Sequence, residues 1–162
     1  MDSAERPAAA GRSASSRKAD TSGRTDTQYR LDEQVGFLLR RVTQRHVSIF
    51  ADHMGEDITP TRWAVLAKLH EAGPSSQNRL GRSTAMDAAT IKGVVDRLTE
   101  RGLLETQPDP RDARRRVVTL TEAGRRLVER SIELALAITR LTLDPLTRAE
   151  RTALLALLRK LA

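Results

Sequence analysis

The spacing of apolar residues changes twice along this chain, at Gly102 and again at Thr121. Before Gly102, large apolar side chains recur every three or four residues, the period of a helix with one buried face. After it they fall in two short runs, Leu103-Leu104-Glu105-Thr106 and Arg116-Val117-Val118-Thr119-Leu120, which read as strands. The link between them, Pro108-Asp109-Pro110-Arg111-Asp112, is rich in turn formers. From Thr121 the helical period returns. One small hairpin set among helices leaves few architectures open. The reading is a mainly α fold: a winged helix-turn-helix lobe with a two-stranded β-wing, plus N- and C-terminal dimerisation helices.

Local signals divide the helical parts. From Arg30 to about Glu56, Leu31, Val35, Leu38, Leu39, Val42, Ile49 and Phe50 keep a helical interval. Thr59-Pro60 has the form of an N-cap followed by proline at the first helical position. Gly73-Pro74 ends that helix, Ser76 caps a short one over 77–83, and Asp87 caps another over 88–101. Thr121 opens a long helix to about Arg140. Thr147 with Glu150 has the form of a capping box before a last, leucine-rich helix.

The 162 residues suffice for one compact domain and a tail. Residues 1–28 nearly lack large apolar side chains and read as a disordered tail. Residues 29–162 form the folded domain, with dimerisation segments 29–57 and 122–162 around a DNA-binding lobe, 58–121. The absence of cysteine excludes disulfides, thiolate metal sites and cysteine redox switching, and it fits a reducing, cytoplasmic setting. No membrane span is expected. The net charge of +7 favours anionic partners, but it is spread along the chain rather than gathered. No phosphate loop, nucleophile signature or paired carboxylates suggest an enzyme, and no cofactor is expected.

The arrangement itself points to double-stranded DNA. In a helix over 88–101, Ile91, Val94, Val95 and Leu98 would be buried. That leaves Ala88, Ala89, Thr90, Lys92, Gly93 and Asp96 for the major groove, with Ser76 and Gln77 at the start of the preceding helix. Arg111, Arg114, Arg115 and Arg116 would crowd the hairpin tip, where arginine suits a narrow minor groove.

The string MDAATIKGVVDRLTERGLLETQPDPRDARRRVVTLTEAG resembles the signature of MarR-type regulators, and the likeness extends over about residues 30–160. The resemblance implies a homodimer with interlocked terminal helices, each lobe contacting half of a pseudo-palindromic operator, usually as a repressor. It makes Arg111 the minor-groove residue, oriented by Asp109 or Asp112 and by Arg97.

An input would come through the first helix. His46 and His53 lie seven residues apart on its apolar side, too far along one helix to share a metal ion, so no metal site is expected. With Phe37, Arg41, Arg45, Phe50 and Trp63 they gather groups able to stack on a ring and pair its carboxylate. Equally open is that the histidines bond across a dimer interface. The opening LDEQVGFLLRRVTQRH resembles the branch of the family that controls aromatic-acid catabolism. That implies a small aromatic acid effector such as a hydroxynicotinate; the alternatives are an aromatic-acyl-CoA thioester, or a helical protein-interaction module without an effector.

Overall fold

The computed structural model describes residues 29–55, 57–109 and 112–161. The chain separates into residues 1–31 and 32–162. In the first unit Tyr29 and Leu31 are exposed, and the expected tail, 1–28, lies outside the described residues. The second unit carries α1 (Val35–Met54), α2 (Pro60–Ala72), α3 (Gln77–Ser83), α4 (Ala88–Glu100), β1 (Leu104–Asp109), β2 (Asp112–Leu120), α5 (Glu122–Thr142) and α6 (Arg148–Leu161). It is mainly helical with one two-stranded antiparallel sheet, as the alternation of periods implies.

The expected caps form. The side chains of Thr59, Ser76, Asp87 and Thr121 accept from the backbone N–H groups of Arg62, Arg79, Thr90 and Gly124, satisfying donors that a helix start leaves without partners. Thr147 and Glu150 close a reciprocal box: Glu150 N–H donates to Thr147 Oγ1 at 3.4 Å, and Thr147 N–H to Glu150 Oε2 at 2.8 Å.

Two boundaries differ from the sequence reading. The first helix is not continuous from Arg30. Leu31–Glu33 forms a 3-10 turn, Gln34 is extended at φ −81° and ψ 130°, and α1 starts only at Val35. Leu31 and Val35 keep a four-residue interval across this break, so apolar spacing does not register it. The hairpin is also longer than the apolar runs suggest, and positions 108, 109 and 112 of the supposed turn are strand. Pro108 opposes Arg116 and Asp109 opposes Asp112, with an irregularity between Pro108 and Asp109. A two-stranded ribbon tolerates proline and charge on its outer half because its backbone bonds need only one neighbour.

One core holds the lobe. Val65, Leu66 and Leu69 of α2, Leu80 of α3, Ile91, Val94, Val95 and Leu98 of α4, and Leu104, Val118 and Leu120 of the hairpin are buried with Phe50, Ile58, Val128 and Ile138. The four α4 residues expected to be buried are buried. Gly81 lets α3 and α4 approach closely, since a Cβ there would lie 3.1 Å from Met86 O and 3.2 Å from Ile91 Cγ2. Ser75 adds an isolated bridge to the sheet by exchanging backbone bonds with Val118 at 3.0 and 2.9 Å. That bridge ties the segment before α3 to the root of the hairpin.

Where the lobe meets α5 the packing leaves no room for a side chain. Thr121 Oγ1 donates to Gly102 O at 2.7 Å, Thr121 N–H donates to Leu103 O at 3.1 Å, and a Cβ on Gly124 would collide with Leu103 O. Alanine for glycine in a helix ordinarily stabilises by up to about 1 kcal/mol. Gly124→Ala should reverse that sign and cost roughly 1–3 kcal/mol through overpacking, measured as a lowered midpoint in urea unfolding.

Candidate nucleic-acid interface

The lobe core determines which side of α4 is free. With Ile91, Val94, Val95 and Leu98 buried, Ala88, Ala89, Thr90, Lys92 and Asp96 are exposed and Gly93 is half-exposed. The first turn is small, so backbone can come near a base edge, and Thr90 adds a group that donates and accepts. The N-terminus of α4 is occupied by its own cap. Asp87 Oδ1 accepts from Thr90 N–H at 2.7 Å, and that bond holds the Asp87 carboxyl below the ordinary aspartate value of 3.8. Asp87 is therefore charged at neutral pH, and this helix start does not invite a phosphate.

Lys92 does not stand alone. Its Nζ lies 2.6 Å from Asp96 Oδ2, one turn on, and the bond raises the lysine above 10.5. The order, base before acid, opposes the helix dipole and is the weaker of the two arrangements. The exposed face of α4 is consequently close to neutral, and the cations flank it. In α3, Leu80 is buried while Arg79 and Arg82 are exposed. The sequence reading did not single out this pair. The available signal was a seven-residue helix with one buried leucine, whose neighbours at −1 and +2 face outward. Ser76 and Gln77 stand at the start of the same helix, Ser76 as its cap.

On the hairpin, Arg114 is exposed and its N–H donates to Asp112 Oδ1 at 3.1 Å. Arg116 is not at the tip: it pairs with Pro108, and its Nη2 donates to Thr106 O at 2.8 Å. Arg115 belongs to β2. Arg111 lies outside the described residues. Asp109 and Asp112, expected to orient it, oppose one another across the hairpin. Arg97 lines a cleft of about 470 Å³ with Thr59, Thr61, Arg62, Thr90 and Gly93, between the start of α2 and α4.

The residues expected to hold an effector are only partly gathered. His46 and Phe50 are neighbours, their rings 6.1 Å apart and tilted by 56°. Phe50 is in the core, and Trp63 packs half-buried against it. Thr142 donates its hydroxyl proton to Ile138 O, so His46 Nδ1, 2.9 Å from Thr142 Oγ1, is the donor in that contact. His53 Nδ1 likewise donates to Ile49 O at 2.8 Å. Both imidazoles thus bond within the chain through Nδ1. Arg45 Nη2 donates to Leu141 O at 3.2 Å, Arg41 is exposed, and Phe37 is half-buried.

A second cleft, about 480 Å³, lies between the end of α1, the end of α4 and α5. Arg101 reaches across it, donating from Nη1 to Asp57 O at 2.6 Å and lying 3.3 Å from Asp57 Oδ2. Among the described residues no helix is long and apolar enough to cross a membrane.

The chain's similarities to known proteins agree with this geometry. Residues 56–115 match the MarR family. The transcriptional repressor NicR of Pseudomonas putida is 44% identical over 130 residues, covering 80% of this chain and 82% of NicR. A probable transcriptional regulator from Pseudomonas aeruginosa is 50% identical, with a TM-score of 0.79, over 82% of this chain and 100% of that one. BpsR of Bordetella bronchiseptica, whose DNA binding is regulated by 6-hydroxynicotinic acid, is 44% identical with a TM-score of 0.77, over 82% of this chain and 96% of its own. A lobe that presents one helix beside a basic hairpin, together with relatives this close over most of their length, places the chain in the MarR family of winged helix-turn-helix transcriptional regulators.

Proposed function

We propose that this regulator is a homodimeric repressor that binds a pseudo-palindromic operator and is released by a small aromatic carboxylate. The observation that carries the DNA half is the division of α4. Its apolar side is consumed by the lobe core, and its small, polar, nearly neutral side is left exposed on a helix that packs against both α3 and the hairpin, which carry exposed arginines. In this reading Ala88, Ala89, Thr90, Lys92, Gly93 and Asp96 meet base edges, while Ser76 and Gln77 meet the backbone with Arg79 and Arg82. Arg111, Arg114 and Arg115 belong to the wing, with Arg97, Asp109 and Asp112 as its orienting groups.

Apolar surface supports the dimer. Val35, Leu38, Leu39 and Val42 of α1 and Leu155, Leu157, Leu158 and Leu161 of α6 are exposed, and no residue of α6 is fully buried within the chain. A second copy would cover such surface with the symmetry a palindromic site requires.

The acid half rests on chemistry and kinship. The imidazoles of His46 and His53, with the exposed Arg41 guanidinium on the same helix, suit a hydroxylated ring acid, and BpsR responds to one. The α1 set to test comprises Phe37, Arg41, Arg45, His46, Phe50 and His53, with Trp63 of α2. Release requires that the acid bind the DNA-incompetent state more tightly than the DNA-bound one.

Three outcomes are expected. In sedimentation at micromolar concentration the protein should run as a dimer. In gel-shift titrations, Arg79→Ala and Arg114→Ala should each weaken binding about tenfold on all sequences. Each should also lower the slope of log K against log salt by about one. Thr90→Ala should instead relax the preference at one base pair and leave that slope unchanged. If 6-hydroxynicotinate, nicotinate and benzoate at saturation all fail to release the operator, the acid-responsive reading falls.

A further inference from the structure

One line of α4 carries an ion pair that adds little to the fold. Ala88, Lys92 and Asp96 follow at four-residue intervals, so they lie one above another on the same face, and all three are exposed. Lys92 Nζ stands 2.6 Å from Asp96 Oδ2, with the two side chains 67% and 49% exposed. A solvated pair of this kind contributes little stability, and base before acid is the weaker order along a helix.

On a helix that meets DNA the same two groups pull in opposite directions. A lysine on an open helix surface is a flexible point charge that suits any phosphate, whatever the sequence. A carboxylate is repelled by phosphate and by the acceptor atoms of the bases. The major groove offers it donors only at the amino groups of cytosine and adenine. Asp96 therefore keeps Lys92 from serving as a general phosphate contact. It also limits where the helix settles without an uncompensated charge.

The geometry of the pair matches one base-pair edge. Within a G·C pair, guanine O6 accepts from the cytosine amino group, so this acceptor and this donor stand about 2.9 Å apart in the groove. Lys92 and Asp96 present their complements, a donor and an acceptor, 2.6 Å apart. The ammonium has three protons; one stays on Asp96 and two are left for O6 and the neighbouring N7 of guanine. An A·T pair also sets a donor beside an acceptor, but there the acceptor O4 has the thymine methyl beside it instead of a second acceptor. Ala88, one turn before Lys92, is too short to hold the pair away from the bases.

We propose that Lys92 and Asp96 read one G·C base pair as a unit. On the operator Lys92 donates to guanine O6 and N7, and Asp96 accepts from the amino group of the paired cytosine. On other sequences the pair withholds its lysine from phosphate. Asp96 is a specificity residue: it adds discrimination and subtracts non-specific affinity. The inference rests on α4 as the base-contacting helix, as given under Proposed function.

Selection from a randomised duplex library with the full-length protein yields its preferred site. Gel-shift titrations at several salt concentrations then compare that site, its single base-pair changes and a scrambled duplex. The variants are Asp96→Ala, the double variant Lys92→Ala with Asp96→Ala, and Thr90→Ala, each shown to be folded by thermal unfolding. Asp96→Ala should bind the scrambled duplex about fivefold more tightly, with a slope of log K against log salt steeper by about one, because Lys92 is released to a phosphate. It should also lose about tenfold of the preference at one G·C position in each half-site. The double variant has the net charge of wild type. It should bind the scrambled duplex within about twofold of wild type and lose the same preference. A steeper slope with unchanged preferences overturns the proposal, since Asp96 then only masks a charge. A relaxed position that is not a G·C pair overturns it too. If Asp96→Ala keeps the wild-type slope and preferences while Thr90→Ala relaxes one position, the paired reading falls and α4 remains the base-contacting helix. If neither variant relaxes any position, α4 is not that helix and both readings fall.

Discussion

The packing of one side of α4 into the lobe core is the interaction on which the rest depends. Ile91, Val94, Val95 and Leu98 meet the buried leucines and valines of α2 and α3 and the root of the hairpin. Burying those four residues decides which side of the helix faces outward. It also requires the close approach at Gly81 and brings the end of α4 to the turn where Gly102, Leu103 and Thr121 lock the hairpin to α5. An α4 rotated about its own axis would bury Lys92 or Asp96 and expose valine, so the surface offered to a groove follows from hydrophobic burial.

The electrostatics of that surface divide the work. Lys92 is matched by Asp96 and the N-terminus of α4 by Asp87, leaving the helix with little net attraction for phosphate. The arginines sit on the elements to either side. Affinity from the flanks and selectivity from the centre is the division expected when phosphate contacts position a protein and base edges specify its site.

Two different kinds of contact hold α4. The lobe side is a packed core, which resists small displacements. The end of the helix is held differently, by a guanidinium bonded to a carbonyl and a solvated carboxylate. On α1, by contrast, His46 and Arg45 bond to the end of α5. A ligand there would act on the contact between the two long helices.

Much of this was legible in the chain. Asp87, Thr121 and the Thr147–Glu150 box announced helix starts because a cap is a local interaction, complete within four residues. Periodicity alone separated the buried from the free side of α4. Two things were misread for one reason. The break at Gln34 and the outer half of the hairpin depend on backbone conformation and on cross-strand bonds, and neither leaves a trace in apolar spacing. Arg116, which the sequence offers both as the start of a strand and as a tip residue, lies along the strand, where it bonds to Thr106 O. The pair Arg79 and Arg82 was overlooked because a seven-residue helix is too short to show a period. The sequence by itself determined the order of elements, their caps and the apolar side of each helix, since these are set by residues within a turn or two of one another. Only the tertiary structure decided that Arg101 grips Asp57 across a cleft with Arg130, and that Ser75 joins the sheet. Those contacts link residues about forty apart, and only the folded core brings them together.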